Sequence, residues 1–384
     1  MKFDVVILGA GPAGLAAARA AGRRSASVAL VDDNVTAGGQ IWRGAPRIAV
    51  PAGVRFFPQT RVFDLRPGFT LLTESHGAME ASRLILATGA RELFLPFPGW
   101  TAPGVFGAGG LQALVKSGLP VAGKRVMVAG SGPLLLAVAA ALRTAGARVV
   151  GIAEQAPLGR IVPFLAKYPA KLPQAFALRA RLVGVPYWTG TWPVRFAEGM
   201  VTLSGGRTVS VDYLACGFGL VPNTEAAQLL GCRLDDGFVA VDSRQETSVA
   251  GVYCAGEPTG IGGLDKALED GERAGAAATG QAVNPSRGAF VRDLAAAFHL
   301  DPRLFDLAEP STVVCRCEDV SCAALRPYRE WREAKLMTRC GMGPCQGRIC
   351  GPITNCLLGW SAESVRRPLV PVAAEILLKD VFEP

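Results

Sequence analysis

Seven of the ten cysteines in this 384-residue chain lie between Cys315 and Cys356. Cysteines at that density either form disulfides in an oxidising compartment or bind metal as thiolates in a reducing one. At the N-terminus, Asp4 interrupts the start of the first apolar run, and Gly9, Gly11 and Gly14 break it. That is not a secretory pattern, so a cytoplasmic protein and a metal-binding cluster are expected. Cys315-Arg-Cys317 is followed, after a predicted helix from Cys322 to Lys335, by Cys340-Gly-Met-Gly-Pro-Cys345-Gln-Gly-Arg-Ile-Cys350. A C-x-C pair with a C-x4-C pair brings four thiolates together from two loops. A [2Fe–2S] cluster spreads four thiolates over two irons and accepts this spacing. Structural zinc usually takes pairs two to four residues apart, so C-x-C is tight for it. Zinc, or thiols without metal, stand as alternatives. Gly341, Gly343 and Gly347 let backbone amides approach cluster sulfurs. Cys322 and Cys356 read as helix-packing residues, and Cys216, Cys232 and Cys254 as small buried ones.

The second chemistry-bearing pattern is Gly9-Ala-Gly11-Pro12-Ala13-Gly14, between the apolar strand Phe3 to Leu8 and an Ala/Leu helix. A second strand, Ser27 to Val31, ends at Asp32 and Asp33, with Asp32 placed 23 residues after the first glycine. The first glycine of such a unit makes the tight turn, and the second lets backbone approach a pyrophosphate. The third lets helix pack on strand, and the terminal acid accepts from a ribose hydroxyl. The pattern recurs. The strand Arg125 to Ala129 leads into Gly130-Ser131-Gly132, a helix, the strand Ala147 to Ala153 and Glu154. Leu135 stands where the third glycine belongs, which sets helix and strand further apart. An acid at 154 favours NAD over NADP if a nucleotide binds there. Each copy is followed by a hairpin, through His76-Gly77 and Gly205-Gly206, and by a strand ending in glycine, LILATG at 84–89 and YLACGFG at 213–219. Near 254 the chain reads CAGEPTGIGG before a helix from Leu264, so a further helix N-terminus is available to a phosphate or a flavin ring. Breaks at Asn284-Pro, Asp301-Pro and Glu309-Pro mark a connector around one Ala-rich helix.

These units imply an α/β fold with two Rossmann-like domains and a small, mainly helical C-terminal domain. Half the residues are hydrophobic and 46 are glycine, which suits two or three domains with large cores and close backbone approaches. The two histidines, His76 and His299, are in a hairpin turn and at a helix end. That disfavours a zinc hydrolase or a Ser-His-Asp enzyme. The net charge of +8 is spread along the part before residue 301, without a basic run interleaved with aromatics, so nucleic acid is not expected as a partner. A basic surface can still aid docking of an acidic partner. No apolar run reaches the length of a membrane span; the longest is Leu134 to Leu142.

GAGPAG with its terminal acid, GGQIWR at 38–43, LATGARE at 86–92, the second glycine unit and CAGEPTGIGG resemble the two-dinucleotide-domain flavoprotein disulfide reductases over about residues 1–280. The resemblance implies a glutathione-reductase-like arrangement with the second domain inserted in the first. Residues 1–100 and 245–285 would form an FAD domain, and 101–244 an NAD(P)-type domain. A connector at 286–310, a [2Fe–2S] domain at 311–365 and a tail at 366–384 would follow. It implies that Gly9, Gly11, Pro12, Ala13, Gly14, Asp32 and Asp33 hold the FAD pyrophosphate and ribose. Gly38, Gly39 and Gln40 would lie near the flavin, Thr88 and Gly89 along the cofactor, and Gly256 and Glu257 at the ribityl chain. Glu257 stands where the superfamily usually has aspartate, one methylene shorter. Gly130, Gly132 and Glu154 would serve a second nucleotide, NAD or another adenine nucleotide. Residues 38–60 and 120–160 lack cysteine, so thiol–disulfide reduction is disfavoured.

CRCEDV with TRCGMGPCQGRIC resembles the bacterioferritin-associated-ferredoxin-like [2Fe–2S] module, in the version found in α-type subunits of multisubunit amine and imino-acid dehydrogenases. That resemblance implies Cys315, Cys317, Cys345 and Cys350 as ligands, with Cys340 a spare. It also implies an oxidoreductase electron-transfer subunit carrying FAD and [2Fe–2S], with FMN between subunits in some members. Expected partners are an amino-acid-oxidase-type flavoprotein subunit that oxidises a C–N bond of an imino acid, opine or amino acid, a small ferredoxin-like third subunit, and an electron acceptor. Two other readings are a stand-alone NADH-dependent acceptor reductase and a non-catalytic scaffold subunit.

Overall fold

A computed structural model describes residues 1–24, 27–44, 48–283, 288–361 and 365–382. Asn284-Pro and the ends of the expected connector, cluster domain and tail lie outside the described residues. The chain forms two compact units. The first comprises Met1–Arg91, Pro222–Val291 and Ser364–Pro384, and the second Glu92–Val221 and Arg292–Glu363.

In the first unit, parallel pairing joins Val54–Phe57, Val28–Val31, Lys2–Leu8, Gly77–Leu86 and Val252–Cys254, in that order. The hairpin strands Val62–Arg66 and Thr70–Thr73 add antiparallel to the start of Gly77–Leu86. Val5, Val6, Ile7, Leu84, Ile85 and Leu86 are all buried. Such unbroken apolar runs are required of parallel strands covered on both faces. The helices Pro12–Gly22 and Gly263–Ala278 cross with their backbones in contact. A Cβ on Gly271 would lie 2.1 Å from the Ala13 carbonyl oxygen, and one on Gly275 2.2 Å from that of Ala17. The C-terminal segment is strapped to this unit: the Leu369 amide donates to the Phe63 carbonyl at 2.6 Å, and Arg367 pairs with Asp64 at 3.0 Å.

The second unit has a five-stranded parallel sheet, Tyr187–Thr189, Arg148–Glu154, Arg125–Gly130, Tyr213–Gly217 and Val105–Gly107. An antiparallel meander, Pro193–Ala197, Met200–Leu203 and Thr208–Ser210, stands beside it. Leu135, in the helix Leu134–Thr144, is fully buried, with its side chain 3.6 Å from where a Cβ on Gly217 would lie. The C-terminal cysteine segment builds the short strands Val313–Cys315 and Val320–Ser321 and the helices Cys322–Leu325, Trp331–Thr338 and Cys350–Leu358. It shares one core with the sheet domain: Leu95, Phe97 and Trp100 pack in the same apolar cluster as Val314, Trp331 and Ile353. The Trp100 indole donates to the Val313 carbonyl at 2.7 Å.

Candidate functional site

Three loops of the first unit converge at the start of the helix Pro12–Gly22. Gly9 has φ +105°, and its Cβ would lie 2.3 Å from the Ala87 carbonyl oxygen, so only glycine fits there. A Cβ on Gly39 would lie 3.0 Å from the Gly11 Cα, and one on Gly256 3.0 Å from the Ala13 Cβ. The Gly38 amide donates to the Ala10 carbonyl at 2.8 Å. The helix start carries no side-chain cap and no acid in its first turn. Its unpaired amides and positive dipole end therefore suit a pyrophosphate laid on the glycine backbone. Among the expected residues, Gly9, Gly11, Pro12, Ala13, Gly14, Gly38, Gly39 and Gly256 are brought together.

Asp32 closes one end of this cradle. Its Oδ2 accepts from the Ala10 amide at 2.5 Å, and its Oδ1 accepts from the amide and Nδ2 of Asn34 at 2.8 and 2.7 Å. Burial, and then the charge of Asp32, raise the Asp33 carboxyl above the usual carboxylate range. Arg43 donates to the Gln40 Oε1 at 3.1 Å and to the Asn34 Oδ1 at 2.9 Å, linking the second loop to the acid. Thr88 and Asn223 exchange hydrogen bonds through Thr88 Oγ1 to the Asn223 carbonyl and Asn223 Nδ2 to the Thr88 carbonyl, at 2.6 and 2.9 Å. The Asn223 amide donates to the Gly89 carbonyl. Glu257 is engaged locally: its carboxylate accepts from the Gly262 and Gly263 amides at 3.2 and 2.9 Å and so caps the helix Gly263–Ala278. Burial pushes its carboxyl up. Below it, Lys266 donates to the Gly256 carbonyl and contacts the nearly fully buried Asp270. Spacing does not single out Asn34, Arg43, Lys266 and Asp270, because each acts through a neighbour rather than a motif position.

The second glycine turn is hydrogen-bonded within its own unit. Glu154 is fully buried, and its two oxygens accept from the Gly132 and Ala156 amides, both at 2.8 Å. Burial pushes its carboxyl up to about 7. Ser131 Oγ donates to the Phe298 carbonyl, Gln155 Nε2 donates to the His299 carbonyl, and the Asp301 amide donates to Gln155 Oε1. The segment from Phe298 to Asp301 thus lies on the turn and on the residue following the acid.

Further along the chain, Cys315, Arg316, Cys317, Cys345, Ile349 and Cys350 line one cavity of about 330 Å³. All four expected ligands are there. The helix Trp331–Thr338 ends on Arg339 in the left-handed conformation, φ +65°, which turns Cys340 inward. The Cys340 sulfur lies within 4.8 Å of those of Cys315 and Cys350, in a group the spacing alone does not show. Hydrogen bonds from the thiols of Cys340 and Cys350 pull the Cys315 thiol far down. Backbone amides of Gly341 and Glu318 also point to the Cys315 sulfur, as donors to a thiolate or cluster sulfur should. Gly343 and Gly347 have different roles. A Cβ on Gly343 would lie 2.3 Å from the Cys317 Cβ, and one on Gly347 3.0 Å from the Trp331 ring. Arg339 Nε donates to Glu318 at 2.7 Å and ties the two cysteine loops together. Thiolate donors in this number suit iron–sulfur or a soft divalent metal.

A paired set of dinucleotide folds, one with an open glycine cradle, joined to a cysteine-lined metal pocket defines a flavoprotein-type oxidoreductase. The chain belongs to the pyridine nucleotide-disulphide oxidoreductase family, whose profile matches residues 3–278. It is 30% identical to the A subunit of the opine oxidase of Rhizobium meliloti (strain 1021), over 97% of each chain. It is also 30% identical to the hydrogen cyanide synthase subunit HcnB of Pseudomonas aeruginosa, over 96% of this chain and 93% of that one. Among solved structures, the L-proline dehydrogenase of P. horikoshii shares the fold, with a TM-score of 0.67 and 20% identity over 98% of this chain and 79% of that chain. The thioredoxin reductase of T. acidophilum matches with a TM-score of 0.56 and 26% identity over 72% of this chain and 97% of its own. Among the described residues no helix is long and apolar enough to cross a membrane.

Proposed function

We propose that this chain is the FAD- and [2Fe–2S]-carrying electron-transfer subunit of a heteromeric dehydrogenase. Its partner, an amino-acid-oxidase-type flavoprotein, would oxidise a C–N bond of an imino acid, opine or amino acid. The observation that carries the reading is the presence, in one chain, of an uncapped glycine cradle and a cavity lined by four cysteine sulfurs. Two relatives similar over nearly the whole chain are named as subunits of an opine oxidase and of a hydrogen cyanide synthase. Bound FAD would exchange electrons in pairs and a [2Fe–2S] cluster singly, so the chain would join two-electron to one-electron chemistry. Gly9, Gly11, Pro12, Ala13 and Gly14 would receive the pyrophosphate, Asp32 and Asp33 the ribose, and Gly38, Gly39, Gln40, Thr88, Gly89 and Gly256 the remaining length. Glu257 would reach the cofactor only by leaving its helix cap, so its role is to hold the 256–263 loop. Cys315, Cys317, Cys345 and Cys350 would be the cluster ligands, and the Gly341 and Glu318 amides would stabilise negative charge on Cys315.

Gly130, Gly132 and Glu154 would hold a second nucleotide less readily than the first cradle holds FAD, because residues 298–301 are hydrogen-bonded to Ser131 and Gln155 beside the turn and Leu135 replaces the third glycine. This counts against an NADH-dependent reductase. Mixing the anaerobic holoprotein with NADH, and separately with the partner flavoprotein plus its amine substrate, tests the reading. Flavin bleaching by partner and substrate but not by NADH is expected. Prompt bleaching by NADH alone overturns it.

A further inference from the structure

Four cysteines line the cavity and a fifth, Cys340, lies beside two of them, so the five sulfurs divide three and two. Cys315, Cys340 and Cys350 lie with their sulfurs within 4.8 Å of one another, and the three residues are 1%, 0% and 1% exposed. Cys317 is exposed and contacts Cys345, whose amide points to its sulfur. The expected cluster set takes two sulfurs from each group. It leaves Cys340 unused although no cysteine of the chain is more deeply buried.

Four sulfurs around one zinc ion at ~2.3 Å stand about 3.8 Å apart. The inner trio therefore offers three corners of a tetrahedron with little rearrangement. Its members come from separate elements that fix them. Cys315 ends the strand Val313–Cys315, and Cys350 begins the helix Cys350–Leu358. Cys340 follows the left-handed turn at Arg339, with its amide donating to Thr338 Oγ1 at 3.2 Å. The geometry points to a mononuclear site for a soft divalent cation, zinc or ferrous iron, held by Cys315, Cys340 and Cys350. Thiolate softness selects this class of ion over magnesium or calcium. Each ligating thiol gives its proton to solvent as the metal–sulfur bond forms, so binding weakens as pH falls. Two of the three corners, Cys315 and Cys350, also line the cavity, which gives a fourth ligand room to enter. The inference rests on the cluster reading only in that both ligand sets share Cys315 and Cys350, so one ion and one cluster exclude each other. Cys340 is then the residue that lets the cluster-free chain hold metal.

The test uses the full chain, reduced and freed of iron, titrated anaerobically with Co2+ and then displaced with Zn2+. Thiolate-to-cobalt absorption reports how many sulfurs bind. One cobalt per chain is expected, with Cys317→Ser and Cys345→Ser binding within about threefold of the unsubstituted chain and Cys340→Ala weakened at least about tenfold. Cys340→Ser keeps the volume and should show the same loss, which covers the case in which the alanine variant misfolds. Cobalt binding unchanged in the Cys340 variants, or abolished by Cys317→Ser or Cys345→Ser, overturns the proposal. The cluster reading is judged separately on iron and acid-labile sulfide in the protein as isolated. A chain lacking both but binding cobalt through Cys340 sinks the cluster and leaves this site. A chain containing both whose stripped form ignores Cys340 does the reverse.

Discussion

Gly343→Ala isolates one ligand of the cysteine pocket. Gly343 is outside the left-handed backbone region, so alanine meets no conformational obstacle there. Its nearest neighbours are Cys317 and the Glu318 carboxylate; the new Cβ would lie 2.3 Å from the Cys317 Cβ and 3.4 Å from its sulfur. Carbon atoms rest at about 3.5 Å or more, so Cys317 must retreat by roughly 1.2 Å. Metal–ligand distances tolerate only about 0.2 Å. The displacement is several times what a ligand can absorb, while the overpacking itself costs about 1–3 kcal/mol in a loop whose cysteine is already exposed. The expected result is a folded protein that has lost most of its iron and sulfide, with a melting temperature for the metal-free form lowered by a few degrees. Gly159→Ala serves as the control, since nothing lies within 4 Å of its Cβ. Iron and sulfide assays with parallel thermal melts decide the matter. A Gly343→Ala protein with full iron and an unchanged visible spectrum refutes Cys317 as a ligand.

The nucleotide cradle makes a matching prediction. Gly11 has an ordinary φ of −73° and only the Gly39 Cα at 4.0 Å beside its Cβ, so Gly11→Ala should fold normally yet purify without FAD, as a flavin-to-protein ratio will show. Gly271→Ala should instead destabilise the fold by about 3 kcal/mol in urea titrations, because its Cβ would meet the Ala13 carbonyl oxygen at 2.1 Å; a change under about 0.5 kcal/mol contradicts the close helix crossing. The Glu154 carboxyl is raised from 4.5 to about 7 in the folded chain, so the native state binds the extra proton. Stability from this group is therefore full below about pH 4.5 and falls by up to about 3 kcal/mol as pH rises through 7. The difference between the wild type and Glu154→Gln should carry that slope, and a pH-independent difference contradicts it.

The glycine turns, parallel strands and hairpins were legible because each depends on local rules: a φ that only glycine adopts, an apolar run, an acid at a strand end. The spacing shows a four-thiolate pocket, but Cys340–Cys345 and Cys345–Cys350 are equally C-x4-C, and the choice of Cys315, Cys317, Cys345 and Cys350 came from the family resemblance. The place of Cys340 was not legible, because its sulfur is set by a left-handed turn at Arg339, a residue that gives no warning of it. Glu257 reads as a ligand-facing acid in the sequence, and its hydrogen bonds from the Gly262 and Gly263 amides are a local role that the motif does not announce. Residues 298–301 meet the second turn through hydrogen bonds with Ser131 and Gln155, contacts separated by more than 140 positions. The C-terminal segment likewise reads as a tail, and only the partners of Arg367 and Leu369 show it fastened to the first unit.

The central claim is tested most directly by anaerobic purification of the chain, followed by its visible spectrum and assays of bound flavin, iron and acid-labile sulfide. One FAD and a two-iron, two-sulfide cluster per chain are expected. Flavin with zinc in place of iron and sulfide, or neither cofactor in a folded chain, contradicts that claim.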